Sequence, residues 1–355
     1  MPVVRSSPEG RTEGRFALVT DLAEWDALCD RVVDGSVVAT SSYLAAGAML
    51  EPDGRAELAV WEDEDGLIIH PYISRAVDAK GNWRDLISAY EFGGYWFSTR
   101  DAAAKARLMA AFDLRFRQYC VENAIVSEFM RLHPMLFRNT TLFGDFDLRG
   151  PAEHVIVSLI GGPDEVRAGY HVTRRRQVRQ GIGNGLTMEP VSDAAAFIDV
   201  YHHNLDRLQA DDYWYFPTDY IAALGDHIRI FMVRDPSGDV CGAHCYLDDP
   251  PWRFAFLCHG VADKLDLRPN DFAFDAAAID AQAAGLEWLH LGGGQPSLLA
   301  YKSKFSNITT PYRWATRTFL PDVYRQLMKS REAMTGENLR RTGFFPAYRA
   351  PSDGA

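Results

Sequence analysis

Residues 56–61 (AELAVW) and 67–74 (LIIHPYIS) are two apolar runs joined by Glu62-Asp63-Glu64-Asp65-Gly66, and residues 228–233 (IRIFMV) and 240–247 (VCGAHCYL) are two more, joined by Asp235-Pro236-Ser237-Gly238. Each set reads as a β-hairpin, with strand-forming residues on both sides of a link that has turn chemistry. Before the first hairpin, Asp21 can cap a helix to about residue 33, with Leu22, Trp25, Leu28 and Cys29 as its buried stripe, and a second short helix spans residues 43–50. After it come an extended run over residues 86–97, a long helix capped by Asp101 and reaching about residue 122, and a strand over residues 125–131. The second hairpin has similar surroundings. Pro163, following Gly161-Gly162, opens a helix to about residue 180, and another helix begins near Asp193. Residues 252–259 form a third strand, Asn270 caps a helix to about residue 284, and residues 286–291 form the next strand. Gly66 and Gly238, like Asp101 and Asn270, are offset by about 170 residues, which marks a duplicated unit.

Helices, a three-strand meander, a helix and a strand follow one another in the order of the acetyltransferase (GNAT) fold. The expected fold class is therefore α+β, with two tandem GNAT-like domains, each a mixed sheet flanked by helices. They are placed at residues 15–150 and 151–310, after an amino-terminal tail to about residue 14, with a carboxyl segment, 311–355, packing back across them. The length of 355 residues suits two domains, and 47% hydrophobic with 24% charged residues is enough to bury real cores. No stretch has the apolar length of a membrane span or a signal-peptide core, so the expected location is the cytoplasm, without integral membrane association. A formal net charge of -11 argues against a large indiscriminate nucleic-acid surface and leaves room for local basic patches. The five cysteines are odd in number and read as reduced core thiols; Cys241, Cys245 and the Cys258-His259 pair lack the tight turn of a zinc knuckle, and no metal is expected.

Several common chemistries leave no trace. Gln180-Gly181-Ile182-Gly183-Asn184-Gly185 has the letters of a coenzyme A pyrophosphate loop, yet it follows a helix instead of opening one and reads as a helix stop. The stretch that precedes the helix at Asn270, residues 262–269 (ADKLDLRP), has no glycine and carries two acids. A nucleophile elbow, a P-loop, a His-Glu-x-x-His motif and a dinucleotide loop are all missing from the sequence.

Over residues 85–310 the chain resembles the Fem transferases, which use aminoacyl-tRNA to build peptidoglycan bridges. Ile87-Ser88-Ala89-Tyr90-Glu91-Phe92-Gly93-Gly94-Tyr95 is similar to the family's proline-tyrosine-glycine-x-glycine-glycine-proline loop, with Ala89 and Tyr95 in place of the prolines. Phe129-x-Arg131-x-His133-Pro134, Arg175-x-x-Val178-Arg179-Gln180, and Tyr201-x-x-Asn204-x-x-Arg207 with Tyr213 and Phe216 are similar to segments that follow in the same order. Leu291-Gly292-Gly293-Gly294 and Lys302-x-x-Phe305 resemble the closing strand and its lysine-phenylalanine signature, with Ser306 where glycine is usual. The long coiled-coil arm of some members has no counterpart.

The resemblance implies aminoacyl transfer from a charged tRNA to an amine, either a peptidoglycan precursor or a small metabolite, with no cofactor. Acyl transfer to an amine needs positive charge or hydrogen-bond donors where the oxyanion develops. Lys302 is the candidate for that charge, with Lys304 as its rival and Phe305 as aromatic support; both lysines can also be solvated surface groups. Arg175, Arg176 and Arg179, with Arg174 and with His171 one turn earlier, put guanidinium forks on two helical turns and suit a nucleotide or tRNA phosphate, or else form a solvated basic face. Arg207, Tyr215, Tyr90 and Arg131 are the candidate acceptor-binding residues, and His133 ranks below Lys302 as a proton-transfer group. A transferase using acyl-coenzyme A, and a non-catalytic ligand-binding protein, are the alternatives.

Overall fold

The computed structural model describes residues 14–78, 81–336, 338–339 and 343–351; the rest of the amino-terminal tail read from the sequence lies outside them. The chain divides into two compact units, residues 1–150 with 313–355, and residues 151–312.

The first unit contains β1 (Arg15–Val19), α1 (Leu22–Cys29), α2 (Ser41–Ala48), β2 (Arg55–Asp63), β3 (Gly66–Ala76), β4 (Arg84–Ile87), β5 (Trp96–Phe97), α3 (Ala102–Glu122) and β6 (Ile125–Arg131). β1 to β4 form an antiparallel meander, β4 runs parallel to β6, and β6 is completed by the antiparallel strand β13 (Thr309–Thr318), whose Trp314 to Thr318 pair with it. Asp101 caps α3 by accepting from the Ala104 N–H, and Leu108, Phe112, Phe116 and Cys120, four apart, are fully buried against the sheet.

The second unit contains β7 (Asp147–Ser158), α4 (Pro163–Ala168), α5 (Val172–Gly183), β8 (Thr187–Val191), α6 (Ala194–Leu208), α7 (Thr218–Leu224), β9 (Ile228–Arg234), β10 (Val240–Asp249), β11 (Trp252–Gly260), α8 (Pro269–Ala283), β12 (Trp288–Gly292) and α9 (Pro296–Lys302). Its strands have the same order: β8 to β11 antiparallel, β11 parallel to β12, and β12 antiparallel to β7. Ala273, Ala277, Ala278 and Ala281 give α8 a small face that lies close on the sheet. α5 packs on α8 at Gly181, where a Cβ would sit 2.9 Å from that of Phe272. After β13, α10 (Pro321–Thr335) continues the chain in the first unit. The sixth strand of each sheet is thus the connecting segment: β7 on the way into the second unit, β13 on the way out.

Three sequence expectations are corrected. The run over residues 86–97 is not one strand, because residues 88–93 leave β4 to bond the end of β6, with Ser88 N–H on Phe129 O at 3.1 Å and Gly93 N–H on Arg131 O at 2.7 Å, before β5 pairs with β3. The helix over residues 163–180 is two helices, since His171 takes an N-cap position and bonds the Lys304 carbonyl at 2.9 Å. Asn270 is not a cap. Pro269 is the first helical residue, after Arg268 in left-handed conformation, and the Asn270 amide bonds His244 instead.

Beneath the stitched β4–β6 pair lies a buried polar set. Arg317 donates to Glu128 (2.6 Å) and to the Tyr95 hydroxyl (3.0 Å) and pairs with Asp113, while His70 bridges Glu128 (2.6 Å) and the Gly94 carbonyl (2.9 Å). Burial raises the Glu128 carboxyl, but the charges of Arg317 and His70 outweigh it and hold the group down at about 2. Its stabilising contribution is therefore complete above its ordinary value of 4.5 and is lost as pH falls toward 2. Arg317→Ala, which removes the guanidinium that Glu128 and Asp113 share and leaves them only His70 and Arg117, should cost about 3–5 kcal/mol in urea denaturation at neutral pH, with a smaller acid-side loss than the parent protein shows.

Candidate active site

Two parallel strands that share hydrogen bonds along their whole length leave no room between them. In the second unit β11 and β12 share only three pairs, Trp252 with Trp288, Arg253 with Leu289 and Phe254 with His290, although β11 runs on to Gly260. The break has a local cause. Cys245 pairs with Leu257 and Tyr246 with Ala255, so Phe256 is an extra residue, a β-bulge that bends β11 just past its last bond to β12. The first unit has the equivalent gap bridged by residues 88–93, with a parallel bridge between Gly93 and Leu132.

His154 on β7 and His290 on β12 meet beside the last shared pair. Their Nδ1 and Nε2 atoms are 3.1 Å apart, the His290 ring lies 4.9 Å from that of Phe254, and the His154 ring stacks on Tyr312 at 4.3 Å. Past the end of β12 the chain turns through Gly292, at φ +73°, and Gly293, where a Cβ would come within 2.6 Å of the His154 ring and 2.8 Å of the Glu153 carbonyl. The short helix α9 then brings Lys302 back, so that its ammonium donates to the Gly293 carbonyl at 2.7 Å. Burial, and then the Lys302 charge, push the His154 imidazole down to about 3. A neutral imidazole thus lies beside a cation at the turn that follows β12.

On the next strand, His259 near the end of β11 packs edge-on against Tyr201 of α6 at 4.9 Å. Its Nδ1 lies 2.7 Å from the Asn204 amide nitrogen, and Arg207 donates to the Asn204 oxygen at 3.0 Å.

The candidate residues fall into three groups. Lys302, Lys304, Phe305 and the α5 arginines come together, because the His171 N–H binds the Lys304 carbonyl and Arg174 binds the Tyr301 carbonyl. Phe305 is interior, packed on Tyr170, Phe274 and Tyr301. Arg174 is interior too: it pairs with Asp271 and lies over the rings of Tyr301 and Phe305 at 4.0 and 4.3 Å, so it is no phosphate ligand. Arg175 is turned back onto the carbonyls of Ala168 and Tyr170, and Arg179 bonds the Arg175 carbonyl, whereas Arg176 and Lys304 are exposed. Arg175, Arg176 and Arg179 have no carboxylate partner among the described residues. The second group joins Arg207 on α6 with Tyr215 in the loop that follows it, the tyrosine hydroxyl bonding Asp206 of that helix at 2.8 Å. Tyr90 and Arg131 form the third, in the first unit, where Arg131 lies over the Phe129 ring at 5.1 Å and is held by the loop that carries Tyr90. His133 of that unit is fully buried and accepts at Nδ1 from the Leu136 N–H at 3.2 Å.

Sequence reasoning missed His154 and His290. A lone histidine inside an apolar strand, as in Leu289-His290-Leu291, was the signal available for one of them. His154 gives none, because it lies in a polar, half-exposed stretch just past the boundary placed between residues 150 and 151.

The strand order, repeated in the two units, with the parallel pair splayed in the second, makes this a tandem GNAT-like fold. No family model matches the sequence, and no curated protein matches it. Solved structures do. The crystal structure of FemX is similar over 89% of this chain and 99% of its own, at TM-score 0.69 and 12% identity. The carboxyl-terminal domain of a putative lysylphosphatidylglycerol synthetase from Agrobacterium fabrum matches over 82% and 92%, at TM-score 0.50 and 17% identity. A tandem GNAT protein from the clavulanic acid biosynthesis pathway matches over 86% and 99%, at TM-score 0.50 and 9% identity. Among the described residues no helix is long and apolar enough to cross a membrane.

With its folded value near 3, His154 stays neutral from pH 8 down to about pH 4, whereas in the unfolded chain it takes up a proton around its ordinary value of 6.5. It therefore withdraws stability as pH drops below 6.5. In NMR the His154 ring should show no titration between pH 5 and 8, and Lys302→Ala should move its midpoint upward; a parent midpoint close to 6.5 would contradict the arrangement.

Proposed function

We propose that the protein is an acyltransferase that moves an aminoacyl group from a charged tRNA to an amine acceptor. The observation that carries this reading is the opening between β11 and β12, with Lys302 near its edge and the exposed cation Arg176 on α5, which is tied at its start to the segment after α9. In the reaction the acceptor nitrogen attacks the ester carbonyl and forms the C–N bond. The C–O bond to the ribose breaks, and the ribose oxygen takes up the proton that the nitrogen gives away. A fixed ammonium near the carbonyl oxygen favours the transition state, where charge collects, over the ester.

Acyl-coenzyme A is the less favoured donor because both helix starts that could seat its pyrophosphate are taken. At α8 the first residue, Pro269, has no N–H, and the Asp271 carboxylate occupies the first turn, bound to Arg174 and to the Tyr301 hydroxyl at 3.2 Å. At α3 the Asp101 carboxylate occupies that place. A diphosphate would meet like charge at either end. The acceptor is an amine of a peptidoglycan precursor or a small metabolite, with Arg207 and Tyr215 as its recognition residues.

The test compares labelled aminoacyl-tRNA with acetyl-coenzyme A as donors over a library of amines. Turnover is expected with the first, abolished by ribonuclease, and none with the second; ribonuclease-resistant turnover with acyl-coenzyme A would overturn the donor assignment. With the working pair, Lys302→Ala should lower turnover by roughly 10²-fold or more at unchanged thermal stability, and Lys304→Ala should leave it near the parent value.

A further inference from the structure

The chain of side chains from Arg207 through Asn204 to His259 fixes a proton. A guanidinium has donors only, so the Asn204 atom that faces Arg207 at 3.0 Å is its carbonyl oxygen. The amide nitrogen then faces His259 Nδ1 at 2.7 Å, and because that nitrogen donates, Nδ1 accepts. The neutral ring must carry its proton on Nε2. Asn204 is buried, which holds the amide in place. Among the described residues Nε2 bonds no protein group, and it is not sealed from solvent. His259 lies on the part of β11 that has no β12 partner, beyond the bulge at Phe256.

We infer that His259 presents a fixed Nε2–H donor to a carbonyl oxygen of the substrate, the proposed aminoacyl ester, and that Asn204, oriented by its bond from Arg207, is the positioning residue that sets its tautomer. This step rests on the opening being the acyl-transfer site. Burial, and then the Arg207 charge, keep the ring down at about 4, so it stays neutral and donates without taking up a proton. A neutral imidazole is suited to an oxygen that gains charge during the reaction, since it offers a directed hydrogen bond without holding the ester more tightly beforehand.

Long-range 15N–1H correlation spectra of the full-length protein should show His259 as the neutral Nε2–H form throughout pH 6–8. In Asn204→Asp the carboxylate accepts from both neighbours, and the proton should move to Nδ1. A hydrolysis-resistant 3′-aminoacylamino-adenosine should shift the His259 Nε2–H signal of the parent protein downfield. In the transfer assay His259→Ala should lower kcat by roughly 10²-fold with KM little changed, and His259→Gln, which keeps an N–H donor, should recover part of the loss. An Nδ1–H tautomer in the parent protein, or an Nε2–H signal indifferent to the analogue, would overturn the inference. Failure of the transfer reading is recognised separately, by an analogue that shifts the signal while no donor supports turnover.

Discussion

In a parallel pair the bonds that one strand does not give to its neighbour stay open, and the second unit is arranged around the residue at which that happens. The extra residue Phe256 adds bend and twist to β11 two residues beyond Phe254, and β12 does not follow. What lies beyond depends on this parting: the free run of β11 that carries His259, and the glycine turn at the end of β12 whose carbonyl receives Lys302. Gly293 has to lack a side chain for His154 to sit where it does, so the turn and the histidine pair form one arrangement. The chemistry proposed for the protein is a use of this parting.

The two units show how a duplicated scaffold is spent differently. In the first, residues 88–93 restore the missing bonds of the parallel pair, and the interior below them holds Arg317, Glu128, Asp113, Tyr95 and His70 in one hydrogen-bonded set. Such a set adds little net stability compared with an apolar core of the same volume, but it tolerates the loss of no single member. That inflexibility suits a unit whose parallel pair is closed along its length.

The parts of the fold that were legible in the sequence are those governed by neighbours in the chain. Both hairpins, the cap at Asp101 and the strand Ile125–Arg131 follow from turn residues, a carboxylate before a helix and a short apolar run. The failures depend on partners far along the chain. β7 begins with a polar, half-exposed stretch and shows itself as a strand through partners such as β12, so nothing near His154 in the sequence announces it. α9 is seven residues that start at a proline after three glycines, too short to show a periodic face. Arg174 looked like its neighbours until Asp271, Tyr301 and Phe305 closed around it. Asn270 had the chemistry of a helix cap, and the imidazole of His244 claimed it instead.

The exchange of sixth strands bears on how the molecule is made. As the chain leaves the ribosome, β1 to β6 emerge first, but the strand that closes their sheet, with Arg317 for the waiting carboxylates of Glu128 and Asp113, is encoded after the whole second unit. The first half to be synthesised is therefore the last to be finished. Until β13 arrives, β6 is an edge strand with open backbone bonds and a carboxylate pair that lacks the guanidinium it shares, so newly made chains pass through a stage in which they are exposed to pairing with one another.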